Sequence, residues 1–208
     1  NVSSGSERMH KKLLIISIAV LLYLLFSNWQ QRPRTYPAGI LVPGMPVQVN
    51  IPPAGFEMDS YQLTKKARFE IRARVLGTEP YYFRREADLS PIDLALGWGL
   101  MSDQDLLDQL EISQSSRWYR WRHDQSIPVS DQQIINNSSN MHLIPARASV
   151  KRSLNKLREG DIVLLEGYLV DVDHESGWRW RTSMSRTDTG AGACEIVYVE
   201  RVTVEAQH

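Results

Sequence analysis

From Leu13 to Phe26 the chain runs for fourteen residues in which only Ser17 and Tyr23 carry a polar side-chain atom. Extending the run to Trp29 gives seventeen, the short end of what a helix needs to cross a bilayer. A helix on the surface of a soluble domain keeps one polar face, and this run has none. Tyr23 and Trp29 suit a membrane interface, where an amphipathic ring keeps its polar end wet. Arg8, His10, Lys11 and Lys12 precede the run, and Arg32 and Arg34 follow it. That small cationic excess places the N-terminus on the cytoplasmic side. Ser27 to Pro33 lacks the small-residue pattern of a leader cleavage site, so the run is expected to stay as an anchor. Met9 directly before His10 looks like a natural start, and residues 1–8 carry no structural weight.

The expected order is a cytoplasmic tail at 1–12, a transmembrane anchor in lipid at 13–29, a stalk at 30–60 and a β-rich globular domain at 61–208. Pro33, Pro37, Pro43 and Pro46 stiffen and extend the stalk. Val47, Val49 and Ile51 alternate with polar residues as a short strand, stopped by Pro52 and Pro53.

Composition narrows the function. Lys plus Arg is 24 and Asp plus Glu is 24, so the formal net charge is zero. A neutral chain lacks the cationic surplus of a general nucleic-acid binder. A single cysteine, Cys194, excludes an intramolecular disulfide framework and a cysteine-only zinc site. At 42% hydrophobic and 23% charged, the chain is too apolar to be wholly disordered.

The clearest strand is Lys66 to Leu76. Ala67, Phe69, Ile71, Ala73 and Val75 fall on one face, and Lys66, Arg68, Glu70, Arg72 and Arg74 on the other. Ser90-Pro91 reads as the cap and first residue of a helix through Leu96. Ser102 to Asp105 reads as the capping box of a second helix, with Leu106, Leu107 and Leu110 on one face. Ser113 to Asp124 reads as a strand, Ser130 as the cap of a short helix, and Asn136 to Asn140 as a loop. Ser149 to Arg158 is an amphipathic helix ended by Gly160. Asp161 to Val172 is a long strand with Gly167 at mid-length, where a bulge or bend is expected. Trp178 to Thr182 and Cys194 to Val204 are further strands. The class is mainly β within α+β, with about three short helices. A long bent strand following a helix resembles the small Greek-key barrels of the OB fold.

Two segments interleave aromatic and cationic residues. One contains Trp118, Arg120 and Trp121, the other Trp178, Arg179, Trp180 and Arg181. Guanidinium groups stack on indoles, so pairing of these strands would give a binding ladder, with Trp98 and His142 on adjoining loops. The alternative is tryptophan in the core and arginine in solvent, which alternation in any half-buried strand produces. No histidine pair has ligand spacing, and no metal or cofactor is expected. Asp171, Asp173, His174 and Glu175 read as a solvated turn.

Asp188 to Ala191 resembles the Asp-Thr-Gly signature of aspartic proteases, whose chemistry needs two carboxylates; the polar residues before Asp188 depart from that family. His142, Cys194 and Arg201 stand in the chain order of a sortase site, and a membrane anchor with a β domain is similar to that family. The resemblance implies a Cys194 nucleophile, a His142 base, and Arg201 (or Arg186) at the oxyanion. Gly190 to Ala193 replaces the strand that sortases place before the cysteine. On an unbroken strand, Cys194 and Arg201 also face opposite ways.

Leu89 to Asp103, Asn140 to Pro145 and Asp188 to Glu195 together resemble a family of small membrane-anchored bacterial proteins, over most of residues 65–204. The resemblance implies a bacterial envelope setting and supplies no activity. The expectation is a single-pass inner-membrane protein whose periplasmic domain binds an envelope protein or glycan without catalysis. The alternative is a sortase-like cysteine hydrolase or transpeptidase.

Overall fold

The computed structural model describes residues 10, 12–22, 32–83, 85–123, 127–185 and 194–206. The chain divides into two units, Asn1–Pro33 and Arg34–His208. In the first, residues 12–22 are helical (α1), and Leu13, Leu14, Ile15, Ile16, Ile18, Val20, Leu21 and Leu22 are all exposed. Among the described residues no helix is long and apolar enough to cross a membrane. Residues 23–29 of the expected anchor lie outside the described residues.

The second unit is mainly β. Its described strands are β1 (Val47–Met58), β2 (Tyr61–Pro80), β3 (Ile92–Gly97), β4 (Leu110–Ser115), β5 (Trp118–His123), β6 (Ser138–Pro145), β7 (Ile162–His174), β8 (Arg179–Trp180) and β9 (Glu195–Val204). Its helices are short: α2 (Arg85–Leu89), α3 (Gln104–Leu107), α4 (Asp131–Asn136) and α5 (Ala148–Leu154), with a 3-10 turn at Gly99–Ser102. Seven strands form one sheet in the order β1-β2-β3-β6-β9-β7-β8, so β1 and β8 are its edges. Within it, β2 also pairs with β7 along thirteen positions from Tyr61↔His174 to Arg74↔Ile162. All pairings are antiparallel except β6 with β9. β4 and β5 form a separate two-stranded sheet.

The alternation read in β2 sets the core. Ala67, Phe69, Ile71, Ala73 and Val75 bury together with Leu94, Leu96, Met141, Leu143, Leu165 and Val197, and α5 adds Val150 and Leu154. The opposite faces of the strands build two further clusters, β2 changing face at the register shift between Lys65 and Ala67. Tyr61, Leu63, Ile144, Val170 and Ile196 form one, with Trp178 and Trp180 packed on it. Leu76, Ala95, Met101 and Ile134 form the other, under Ile112, Tyr119 and Trp121 of the β4–β5 hairpin. β3 and most of β6 are therefore covered on both faces, and a strand buried on both faces loses its polar alternation.

That explains a correction. Ile92 to Leu96, expected as helix, is strand β3, and all six of its residues are buried between β2 and β6. A short continuous apolar run is ambiguous between helix and strand, and the two neighbouring strands decide it here. Ser113 to Asp124, expected as one strand, is split by a turn in which Ser116 and Arg117 take φ of 53° and 69°. Left-handed backbone costs a non-glycine residue roughly 1–2 kcal/mol, so this turn is held by what it touches. β1 passes through Pro52 and Pro53 with a register shift between Asn50 and Ala54. An edge strand tolerates proline because one side of its backbone is unpaired. The segment read as stalk belongs to the fold from Arg34 on, since Val42 is fully buried and β1 is a strand of the main sheet. The residue capping α3 is Asp103, whose carboxylate accepts from the Asp105 amide. Asn136 to Asn140 is not a loop throughout, because β6 begins at Ser138.

Other local signals are met. Ser130 and Gln133 form a complete capping box on α4. Gly160 has the expected left-handed φ of +84°, but α5 ends at Leu154 with Asn155 as its C-cap, so Gly160 does not terminate the helix. A bulge sits at Gly167: Glu166 pairs with Arg201 and Gly167 with Val199, leaving Glu200 as the extra residue on β9.

Candidate functional site

A polar seam lies between the two outer clusters. Asp93, on β3, is 0% exposed. Its register partner on β6 is His142, whose Nδ1 lies 2.9 Å from Asp93 Oδ2. The approach is off the line of a hydrogen bond, so the contact is one of proximity rather than an aligned donor. Arg117, at the tip of the β4–β5 turn, places Nη1 at 2.5 Å from Asp93 Oδ1. It also donates to Ser90 Oγ at 3.2 Å and to the Ser90 carbonyl at 2.9 Å. Its guanidinium carbon stands 3.8 Å from the centre of the Tyr81 ring and 5.6 Å from that of Trp180. The Arg117 amide donates to Tyr81 Oη at 2.7 Å, and its carbonyl accepts from Asn140 Nδ2 at 3.2 Å. A buried carboxylate is tolerated only with such partners.

Aromatic rings continue the seam. The His142 ring centre is 4.8 Å from that of Trp180, Trp180 is 5.8 Å from Trp178, and Trp178 is 6.3 Å from Tyr61. Burial, with Asp93 and Glu79 among the neighbouring anions, pushes the Tyr81 phenol up to about 12. Arg117 thus ties the tip of the β4–β5 hairpin to β3, β6 and β8, beside the packing of Ile112, Tyr119 and Trp121.

Cys194 precedes β9 as Asn140 precedes Met141 on β6, and Met141 pairs with Glu195. The sulfur therefore lies near the seam, 4.0 Å from Asn140 Nδ2. Burial pushes the Cys194 thiol up to about 11, and the Asn140 contact opposes this only in part. A thiol held this high is protonated near neutrality, and the thiolate is the nucleophile. Labelling of native Cys194 by iodoacetamide should therefore be slow at pH 7 and keep climbing towards pH 11. A rate that levels off below pH 8 would contradict this. The linked stability has a definite sign. The folded chain keeps this proton after an unfolded cysteine has lost it, so stability present below pH 9 is lost as pH rises through about 11.

Arg201 is not brought to this place. The Glu200 bulge restores its parity with Cys194, yet it lies seven residues along β9, about 20 Å at strand rise. Its guanidinium is held by both oxygens of Glu166 at 2.9 Å. Arg186 and Asp188 to Ala191 lie outside the described residues.

The tryptophan–arginine segments are placed apart. β5 pairs with β4 and β8 with β7, so the two segments form no common ladder. Trp98, expected on the binding surface, is 1% exposed and part of the main core. Trp121 packs under the hairpin, while Trp118 and Arg120 point to solvent. Trp178 and Trp180 are half-buried on the second cluster. Arg179 is exposed, and Arg181 binds both oxygens of Asp173 at 3.1 and 2.6 Å. Sequence reasoning named His142 and Trp180 but missed Asp93, Arg117, Ser90 and Tyr81. A carboxylate inside a run of apolar residues was the available signal for Asp93. Among the described residues no group of three or more His, Cys, Asp or Glu is placed to hold a metal ion.

No protein-family model, curated protein or solved structure matches the chain.

Proposed function

We propose that the chain is a single-pass protein of a bacterial inner membrane, with a cytoplasmic N-terminus and a periplasmic β-rich domain that binds a protein partner or envelope component without catalysis. The observation that carries the binding reading is the convergence of Asp93, His142, Asn140, Arg117 and Trp180 over β3 and β6. The pairings β2–β3, β3–β6, β6–β9, β9–β7 and β7–β2 support an OB-like reading of the strands, with α5 between β6 and β7. In that architecture the second and third strands and the loops beside them make the ligand face. β3 and β6 hold those positions here. The exposed apolar side chains of residues 13–22, interrupted only by Ser17, support the anchor.

Expression of the full chain in a Gram-negative bacterium tests the placement. The chain should stay in the membrane pellet through an alkaline carbonate wash. Protease added outside spheroplasts should cut the β-rich domain. Recovery in the soluble fraction without detergent would defeat the reading.

A second reading is favoured by the pairing of His142 with a buried carboxylate. A nucleophilic site needs a base with an acidic partner near its cysteine, and Cys194 contacts Asn140, two residues before His142 on β6. The elevated Cys194 thiol argues against it. Rapid labelling of Cys194 near neutrality that is lost in His142→Ala would restore it.

A further inference from the structure

We propose that the pocket now filled by Arg117 is a guanidinium receptor, and that an arginine side chain of a protein partner takes the place of Arg117 at Asp93. The inference rests on the binding reading above and names the chemistry of the partner.

The pocket is made without the hairpin that fills it. Asp93 lies on β3, Ser90 and Tyr81 on the connection between β2 and β3, and Trp180 on β8. Together they offer a fully buried carboxylate, a hydroxyl and carbonyl from one residue, and two aromatic rings. This set matches a planar, forked cation with faces that stack, which is arginine rather than lysine. The anion needs a cation, because an unpaired buried carboxylate is strongly unfavourable. The resident cation comes from a separate two-stranded sheet. That hairpin joins β4 to β5 through Ser116 and Arg117, whose positive φ is what a two-residue hairpin turn requires. An incoming arginine therefore competes with a side chain at the tip of a separate two-stranded element, not with a strand of the main sheet.

The surroundings fit a protein partner. Tyr82 and Phe83, next to Tyr81, are 78% and 85% exposed, and Trp118, next to Arg117, is exposed as well. Exposed aromatic side chains around a desolvated charged pocket are the composition of an interface hot spot. Glu79, opposite Asp93 on β2, adds negative charge that complements a cationic side chain.

Thermal melting of the full chain in mild detergent tests this. Arg117→Ala should melt well below wild type. Millimolar N-acetyl-arginine-amide should raise its melting temperature by several degrees, because a ligand that binds only the folded state stabilises it. Wild type, whose pocket is filled, should barely move. N-acetyl-lysine-amide should act at least about tenfold more weakly, and the effect should vanish in Asp93→Asn/Arg117→Ala. If Arg117→Ala does not melt cooperatively, Arg117→Gln carries the same comparison. No rescue by the arginine compound in the folded variant, or equal rescue by the lysine compound, overturns the proposal. Photo-cross-linking from position 83 in membranes keeps the two readings apart. An adduct lost in Asp93→Asn supports the pocket. An adduct that survives it leaves the binding reading standing and overturns the arginine site. The absence of any adduct counts against both.

Discussion

Asp93→Ala is expected to cost about 3–5 kcal/mol of folding stability, the range for removing one partner from a buried ion pair. The substitution strips two groups at once. Arg117 loses its carboxylate at 2.5 Å while its guanidinium stays mostly covered, and His142 loses its neighbour at 2.9 Å. The hairpin tip loses its ion pair to the main sheet in the same step, while Ile112, Tyr119 and Trp121 keep the rest of the hairpin packed. The contrast is Asp173→Ala. Asp173 also faces two arginines, Arg179 and Arg181, but these pairs are exposed and should contribute no more than about 1 kcal/mol. Urea denaturation of both variants checks the difference, provided the slope of free energy against urea is unchanged. A loss below about 1 kcal/mol for Asp93→Ala would mean that the seam is wet and the charges are screened.

Gly167→Ala is expected to be about as damaging, at roughly 3 kcal/mol or more. A β-carbon there would stand 1.9 Å from the Tyr198 carbonyl oxygen and 3.2 Å from the Glu200 amide nitrogen, both backbone atoms of β9. A side chain can rotate away from such a clash, but a paired strand cannot. β9 is held on its other side by β6, so making room breaks pairing at the bulge. Gly177→Ala is the control. That glycine has φ +83° and nothing within 4 Å of an added β-carbon, so only the backbone term of roughly 1–2 kcal/mol remains. Thermal melts with amide exchange along β7 and β9 measure both. Equal losses for the two variants would show that the close approach at Gly167 relaxes cheaply.

The same residues show what was legible. Gly167 carried a local signal, a glycine inside a long apolar strand, and a bulge stands there. Ser130 as the cap of α4 was readable for the same reason: the groups that satisfy one another lie within a few residues. Asp93 carried a signal of the opposite kind. Five residues such as Ile92 to Leu96 fit a helix and a strand equally well, and Ser90-Pro91 suggested the helix. The strands on either side of β3 settle it, and they come from positions far away in the chain. Arg117 lies inside Ser113 to Asp124, a stretch that reads as a single strand. Its role depends on a turn that reverses the chain at that point and turns its side chain back onto Asp93.

Local chemistry alone thus determined the alternation of β2, the Ser130 cap, the glycine bend and the largely apolar character of residues 13–22. These depend on backbone sterics and hydrophobic period, which act over one or two turns of chain. Which cations reach which carboxylate was decided by tertiary structure alone. Asp93, Arg117 and His142 are 24 and 25 positions apart in succession, and Trp180 comes later still. Only the pairing of β3 with β6 and the folding of the hairpin across them removes the water that would otherwise leave those charges indifferent to one another.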